Sequence, residues 1–330
     1  MSDKKFGLKM NKEDLRIVFL GTPDFAVESL RRLVEGGFNI VAVVTMPDKV
    51  AGRGHHLLQS PVKQYAVEHG LPVLQPANLK DEAFVEELRS YRADLQIVIA
   101  FRMLPQVVWS MPPMGTFNLH ASLLPSYRGA HTINWTVMPG DTETGVTTFF
   151  LKHELDTGDI IQQSRIPIAR TDNVGDIHDR LMMLGASMVI DTVEAILRED
   201  VRPIAQDELC AQGMHATAAP KIFKDTCKID WSWSGERIYN HVRGLCPYPA
   251  AWTDITDSAG KTTQAKIFVT AEPSPQVIGE PGKMVSNGKQ LFVATADGSI
   301  EILELQIAGK KRLPTKEFLL GFKLGDVISL

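Results

Sequence analysis

The sequence predicts an α/β protein of two domains, a doubly wound parallel sheet followed by a smaller β-barrel. Three observations predict it. A chain of 330 residues is longer than one hydrophobic core usually serves. Up to about position 199, apolar runs of strand length alternate with amphipathic runs of helical period. Beyond position 220, short strand-like runs separated by turn residues crowd about 100 residues, the pattern of a small barrel.

The elements follow in order. Residues 1–14 are polar and charged and read as a flexible extension. LRIVFLG (15–21) is a buried strand, and DFAVESLRRLVEGG is a helix, with Thr22 or Asp24 as its cap and Gly36-Gly37 as its stop. NIVAVVT (39–45) is a second strand. SPVKQYAVEHG and DEAFVEELRSY are helices either side of the short strand LPVLQP. LQIVIAF (95–101), TFNLH and TGVTTFFL (144–151) are further strands, and residues 173–199 form a long amphipathic helix. Strands this apolar are covered on both faces, which makes the first domain Rossmann-like in architecture. We place it at 15–203, a polar linker at 204–220 and the second domain at 221–330. In the latter, ERIYNHVRGL is a helix, and AAWTDIT, AKIFVTA, GKMVSNG, QLFVATADG and SIEILELQI supply strands, with Asp297-Gly298 as a hairpin turn.

Composition narrows the function. No apolar run has membrane-spanning length, and the start lacks the apolar core of a signal peptide, so a cytoplasmic protein with no membrane partner is expected. Cys210, Cys227 and Cys246 are scattered, and reduced thiols are expected. The net charge of −4 argues against bulk electrostatic binding of nucleic acid. The charge is uneven, with 21 Lys and Arg against 27 Asp and Glu up to Pro220 and 14 against 12 beyond. That balance permits an RNA-touching second domain without establishing one.

Two motifs are weak. GTPDFA after the first strand lacks the second and third glycines of a dinucleotide site, and no phosphate-binding P-loop is present, so an ordinary strand-to-helix turn is favoured. The loop TMPDKVAGRGHHLLQSPVK (45–63) is long and cationic, and sets Arg53 between two glycines. It suits a fork on phosphate oxygens or a plain solvated loop. His55 and His56 have no third ligand at useful spacing, so no metal is expected.

FNLHASLLPSYRGA (117–130) carries more. Asn118 and His120 share one face of a strand at its carboxyl end, the edge where such sheets bind ligands. HELDTGDI (153–160) follows another strand and can bring Asp156 to that edge. No nucleophile motif accompanies them, which disfavours covalent catalysis. An amide, an imidazole and a carboxylate suit direct attack of a bound amine on a carbonyl, with Asn118 and His120 donating to the oxyanion and Asp156 holding the imidazole or accepting the proton. On spacing alone they are equally buried polar groups closing strand ends.

The Asn-x-His pair, the SLLP turn, the R-G-A and the later L-D-T-G, in that order, resemble the 10-formyltetrahydrofolate-dependent formyltransferases. FLGTPDFAVESL, PDKVAGRGHHLLQSPVK, HGLPVLQP and AGKKR resemble the branch of that family that acts on charged initiator tRNA, and the likeness spans about residues 14–330. The resemblance implies transfer of a formyl group from 10-formyltetrahydrofolate to the α-amino group of methionyl initiator tRNA, with no metal. It implies catalytic roles for Asn118, His120 and Asp156, and a folate-binding turn of Ser122, Leu123, Leu124 and Pro125. It implies a pterin pocket wall at the exit of LQIVIAF, a tRNA wedge at Arg53, and an OB-like barrel in which Lys310, Lys311 and Arg312 meet tRNA phosphates. A monomer is also implied. The alternatives are a sugar-nucleotide formyltransferase of the same family, which would not need the Arg53 loop, and a non-catalytic tRNA-binding module. The chain departs from the family pattern at His131-Thr132, Phe101-Arg102 and His55-His56.

Overall fold

The structure is a computed structural model that describes residues 10–51 and 56–324. The chain divides into two compact units, and the division is not a single cut. Residues 1–129, 145–166 and 179–218 form the first, and 130–144, 167–178 and 219–330 the second.

The first unit is organised by a seven-stranded sheet. Across it run Ile160–Pro167, Glu143–Phe150, Thr116–His120, Leu95–Ile99, Arg16–Gly21, Asn39–Val44 and Val73–Leu74. Pairing is parallel from Thr116–His120 through to Val73–Leu74, and Glu143–Phe150 adds antiparallel to Thr116–His120. The apolar runs become central strands because helices cover both faces. Leu95–Ile99 is buried along its whole length, and Phe19, Phe117 and Phe149 are fully buried. The reversal of strand order beside Arg16–Gly21 is the topological point where such sheets open a crevice at their carboxyl edge.

Local signals behave unevenly. The helix Pro61–Glu68 starts on Ser60, whose hydroxyl accepts from Lys63 N at 3.0 Å, and Glu82–Ser90 starts on Asp81. The helix Asp24–Glu35 instead has Pro23 at its cap position, with no side-chain cap bond, and the Thr22 hydroxyl is buried without a partner. Pro23 takes the extended cap position and has no side-chain acceptor, which leaves Thr22 outside the cap and Asp24 inside the first turn, where its Oδ1 accepts from Phe25 N at 2.9 Å. Where a linker was expected, the structure forms a short helix, Gln206–Ala211.

The second unit is a curled antiparallel half-barrel, the OB-like element. Its strands lie in the order Ala251–Thr256, Thr262–Thr270, Ser299–Ile307, Leu291–Ala294 and Met284–Ser286, with Leu313–Pro314 paired to Ser299–Ile307. Asp297 and Gly298 turn the hairpin as expected, with Thr295 N donating to Gly298 O at 2.9 Å. The helix Gly235–Arg243 lays Ile238, Tyr239 and Val242 into the core with Ile267, Ile302 and Leu305.

That helix also buries His241, edge-on to Trp233. Burial pushes the His241 pKa from 6.5 down to about 4, against the Cys227 backbone, which favours the proton. Below 6.5 the unfolded chain takes a proton that the folded chain refuses, so stability present above 6.5 is lost as pH falls towards 4. The loss is of order 3 kcal/mol. Denaturant titrations over this range are expected to show the slope in the wild type and to lose most of it in His241→Gln; equal slopes would contradict the assignment. In the first unit, a Cβ at Gly145 would lie 2.1 Å from Ser164 O and 2.6 Å from Leu123 Cδ2. Gly145→Ala is therefore expected to cost about 2–3 kcal/mol through overpacking, read as a lower melting temperature.

Candidate active site

The strand Thr116–His120 ends at the site. Asn118 sits opposite Val98 on one side and Phe149 on the other, and His120 opposite Thr147. Asn118 is half-buried. Among the described residues no hydrogen bond reaches its side-chain amide, so both N–H groups remain for a ligand. His120 is 7% exposed, with its ring edge-on to Phe149. Its Nε2 lies 2.9 Å from the carbonyl of Tyr127. A carbonyl only accepts, so this contact requires the proton on Nε2 and leaves Nδ1 as the nitrogen facing the site.

The SLLP turn is built to hold that carbonyl in place. The Ser122 hydroxyl points inward and donates to Ser126 O at 2.7 Å, with a longer contact of 3.3 Å to Tyr127 O. Thr147 Oγ1 donates to Ser122 O at 2.7 Å and accepts from Leu124 N at 3.2 Å. Gln163 Nε2 donates to Leu124 O at 2.8 Å and to Thr147 Oγ1 at 2.9 Å. Leu124 is fully buried against Phe149 and Ile160, Pro125 is buried, and Leu123 is half-buried. Of the four turn residues singled out from the sequence, Ser122 and Leu124 thus brace the fold. Thr147 and Gln163 bear on the site with no motif to announce them, and Tyr127, within 117–130, does so through its backbone oxygen.

Asp156 arrives from the L-D-T-G loop between Glu143–Phe150 and Ile160–Pro167, with φ of 53°. Its Oδ2 accepts from Gly129 N at 2.9 Å and lies 3.9 Å from His120 Nδ1. The sequence left Asp156 two roles, holding the imidazole or accepting the proton, and 3.9 Å is within ion-pair range of the ring. The Tyr127 carbonyl holds the other ring nitrogen, and the gap between carboxylate and ring is too long for a direct hydrogen bond. A third polar atom set off the line between them can touch both. The glycine of the motif is explained by contact, since a Cβ on Gly158 would fall 1.6 Å from Phe150 O.

Arg53 and His55 lie outside the described residues; the flanking Lys49–Ala51 and His56–Leu58 pair as an antiparallel ribbon with Val50, Leu57 and Leu58 exposed. Lys63, counted among the loop's cations, is bound to Asp48 at 2.6 Å; Lys63 first and Gln75 second hold the Asp48 carboxyl below its ordinary range. Lys310 and Lys311 are exposed, whereas Arg312 forks both oxygens of Glu304 at 2.7 Å and lies over Phe268. Arg102, one of the departures, donates to Ala77 O at 2.8 Å and to Pro76 O, which ties the exit of Leu95–Ile99 to the segment after Val73–Leu74. His131 accepts from Ile222 N at 3.3 Å, and burial, with Lys221 adding to it, holds its pKa below the ordinary value. Among the described residues no cluster of His, Cys, Asp or Glu is arranged to hold a metal ion, and no helix is long and apolar enough to cross a membrane.

Comparison with known proteins decides the family. The family model described as formyl transferase matches residues 15–193, and that of the formyl transferase C-terminal domain matches 221–323. The chain belongs to the formyl transferase family. It is 59% identical over 318 residues to the methionyl-tRNA formyltransferase of Bacteroides thetaiotaomicron, covering 96% of this chain and 98% of that one. Among solved structures it is similar to the N-formyltransferase of Helicobacter canadensis bound to folinic acid and dTDP-3-aminofucose, with a TM-score of 0.64 at 18% identity, over 92% of this chain and 100% of that one. It is also similar to HypX of Aquifex aeolicus in complex with tetrahydrofolic acid, with a TM-score of 0.62 at 20% identity. That match covers 95% of this chain and 49% of HypX. At such identities the two structures speak for the formyl transferase fold alone.

If the free Asn118 amide is an oxyanion donor, Asn118→Ala lowers kcat about 10²–10³-fold with the fold intact. Steady-state kinetics beside a thermal melt check this, and a change confined to KM would contradict it.

Proposed function

We propose that the chain transfers the formyl group of 10-formyltetrahydrofolate to the α-amino group of methionyl initiator tRNA, by direct attack of that amine and without a metal. The observation that carries the mechanism is the pairing of an unpartnered Asn118 amide with a His120 whose only open nitrogen is Nδ1, beside the Asp156 carboxylate. The amine nitrogen bonds to the formyl carbon. The carbonyl electron pair moves to oxygen, where Asn118 and the protonated Nδ1 of His120 donate to it. Asp156 receives the proton that the amine loses. The electron pair then returns, the bond to the folate nitrogen breaks, and that nitrogen takes up a proton. The role of Tyr127 O is to point Nδ1 at the reacting oxygen throughout.

The substrate is supported by near-complete likeness to relatives named for methionyl-tRNA, at 59% identity, against 18% to a structure holding a sugar nucleotide. The second unit adds chemistry that suits RNA. Lys224 and Lys228 both place their ammonium groups over the Trp252 ring, at 5.3 and 5.0 Å, an aromatic platform with cations beside it. We place Arg53, Lys310 and Lys311 on tRNA as well, and rank Arg312 below them because Glu304 already holds it. Ser122, Leu123, Leu124 and Pro125 form the folate-binding turn. The protein acts in the cytoplasm as a monomer.

Formyl transfer to charged initiator tRNA, measured with purified protein, is the deciding assay. His120→Ala and Asp156→Asn are each expected to lower kcat at least about 100-fold; near-normal turnover would sink the mechanism. Arg53→Ala is expected to raise KM for tRNA while leaving kcat close to the wild type. Lys310→Ala and Lys311→Ala should each reduce the salt dependence of tRNA binding by about one unit of slope. Formylation of a dTDP-amino sugar in place of tRNA would favour the sugar-nucleotide reading.

A further inference from the structure

Gln206 is 2% exposed and lies at the start of the helix Gln206–Ala211, far in sequence from both motifs. Its amide is fully engaged. Nε2 donates to Asp156 O at 2.8 Å and to Gly158 O at 2.9 Å. Oε1 accepts from Arg128 Nη2 at 2.7 Å and Nε at 3.1 Å. One side chain therefore ties the D-T-G loop to the R-G segment, whose Gly129 N–H holds the Asp156 carboxylate.

We infer that Gln206 is a positioning residue for Asp156, fixing the carboxylate against His120 Nδ1 and so setting the path of the proton taken from the amine. This rests on the role given to Asp156 above.

The chemistry of the site demands such a brace. Asp156 adopts a left-handed backbone at φ of 53°, a conformation that costs a non-glycine residue energy and persists only where its surroundings impose it. Its side chain has one backbone donor, Gly129 N, and the gap of 3.9 Å to His120 does not pull it into place. Gln206 acts at the other end of the residue, on the carbonyl, and again two residues later on Gly158. Only an amide fits all three contacts. It must donate twice to carbonyls and accept from a guanidinium with a neutral oxygen, in a buried place where an unmatched polar group is costly. Glutamate keeps the Arg128 contact and loses both donations. Leucine loses everything and keeps the volume.

The test compares Gln206→Glu, Gln206→Leu and Asp156→Asn, singly and in Gln206→Leu/Asp156→Asn, in the full chain, with formyl transfer to charged initiator tRNA as the readout. Fractions folded are matched by active-site titration and thermal melts. Gln206→Glu is expected to lower kcat at least 10-fold, to leave KM for 10-formyltetrahydrofolate within 2-fold, and to move a limb of the pH profile of kcat. In the double variant, the Gln206 substitution is expected to cost less than 2-fold beyond Asp156→Asn, because the group it positions is gone. Losses that multiply in the double variant, or single variants whose kcat and pH profile match the wild type, overturn the inference about Gln206. Near-normal kcat in Asp156→Asn instead overturns the reading of Asp156 on which it rests.

Discussion

The site depends on one contact, the carbonyl of Tyr127 against Nε2 of His120. It is a main-chain group, so no side-chain chemistry at position 127 is read by the histidine. The oxygen is where it is because the chain doubles back through residues 122–127. Every polar contact described for that turn, from Ser122, Thr147 and Gln163, points to its backbone rather than to the open crevice. The contact also settles the tautomer. An acceptor-only partner on one nitrogen leaves the other as the sole working end of the ring, which a hydroxyl or water partner would not do. The open ring nitrogen therefore lies on the Asp156 side.

Around this contact the strand Thr116–His120 is placed by two neighbours of opposite sense. Parallel pairing with Leu95–Ile99 carries it to the carboxyl edge with the other central strands. Antiparallel pairing with Glu143–Phe150 brings Thr147 back beside His120. The mixed sheet thus delivers, from one returning strand, both the hydroxyl that staples the turn at Ser122–Pro125 and the loop that carries Asp156. Burial of Phe117 and Phe149 sets the register, since a slip of one residue would turn Asn118 and His120 to the opposite face.

The fold was legible because its signals are periodic. Apolar runs marked the central strands, Asp297-Gly298 marked a hairpin, and Ser60 and Asp81 stood at helix starts. Spacing put Asn118 and His120 on one strand face at the sheet edge without telling a site from buried polar groups; the resemblance carried by Asn-x-His, SLLP and L-D-T-G made them and Asp156 the candidates. What escaped is what periodicity cannot carry. Thr147 looks like an ordinary residue of a buried strand, and Gln163 sits on Ile160–Pro167, a largely half-exposed strand without the apolar run that marks the others. Gln206 lay in a polar stretch without a period, read as a linker. The part played by Tyr127 is that of a peptide oxygen, which every residue possesses. Thr22 does not cap its helix because Pro23 takes the cap position, and Asp24 serves the first turn from inside it, accepting from Phe25 N. Which of the two roles open to Asp156 it takes was not legible, because that depends on a separation, 3.9 Å from His120 Nδ1, that residue types do not encode.

The pair of open donors at the sheet edge has a pharmacological consequence. Among the described residues Asn118 offers an amide with no partner, and His120 one open nitrogen. With His120 protonated on both nitrogens, a compact group with two acceptor atoms, such as a hydroxamate, can answer both at once without displacing any bond that holds the fold. The neighbouring carboxylate disfavours a fully anionic warhead, so a neutral, polarised acceptor is the better match. Because the ring is held by peptide oxygen rather than by a replaceable side chain, resistance to such a compound by re-aiming His120 would require rebuilding the turn from Ser122 to Tyr127.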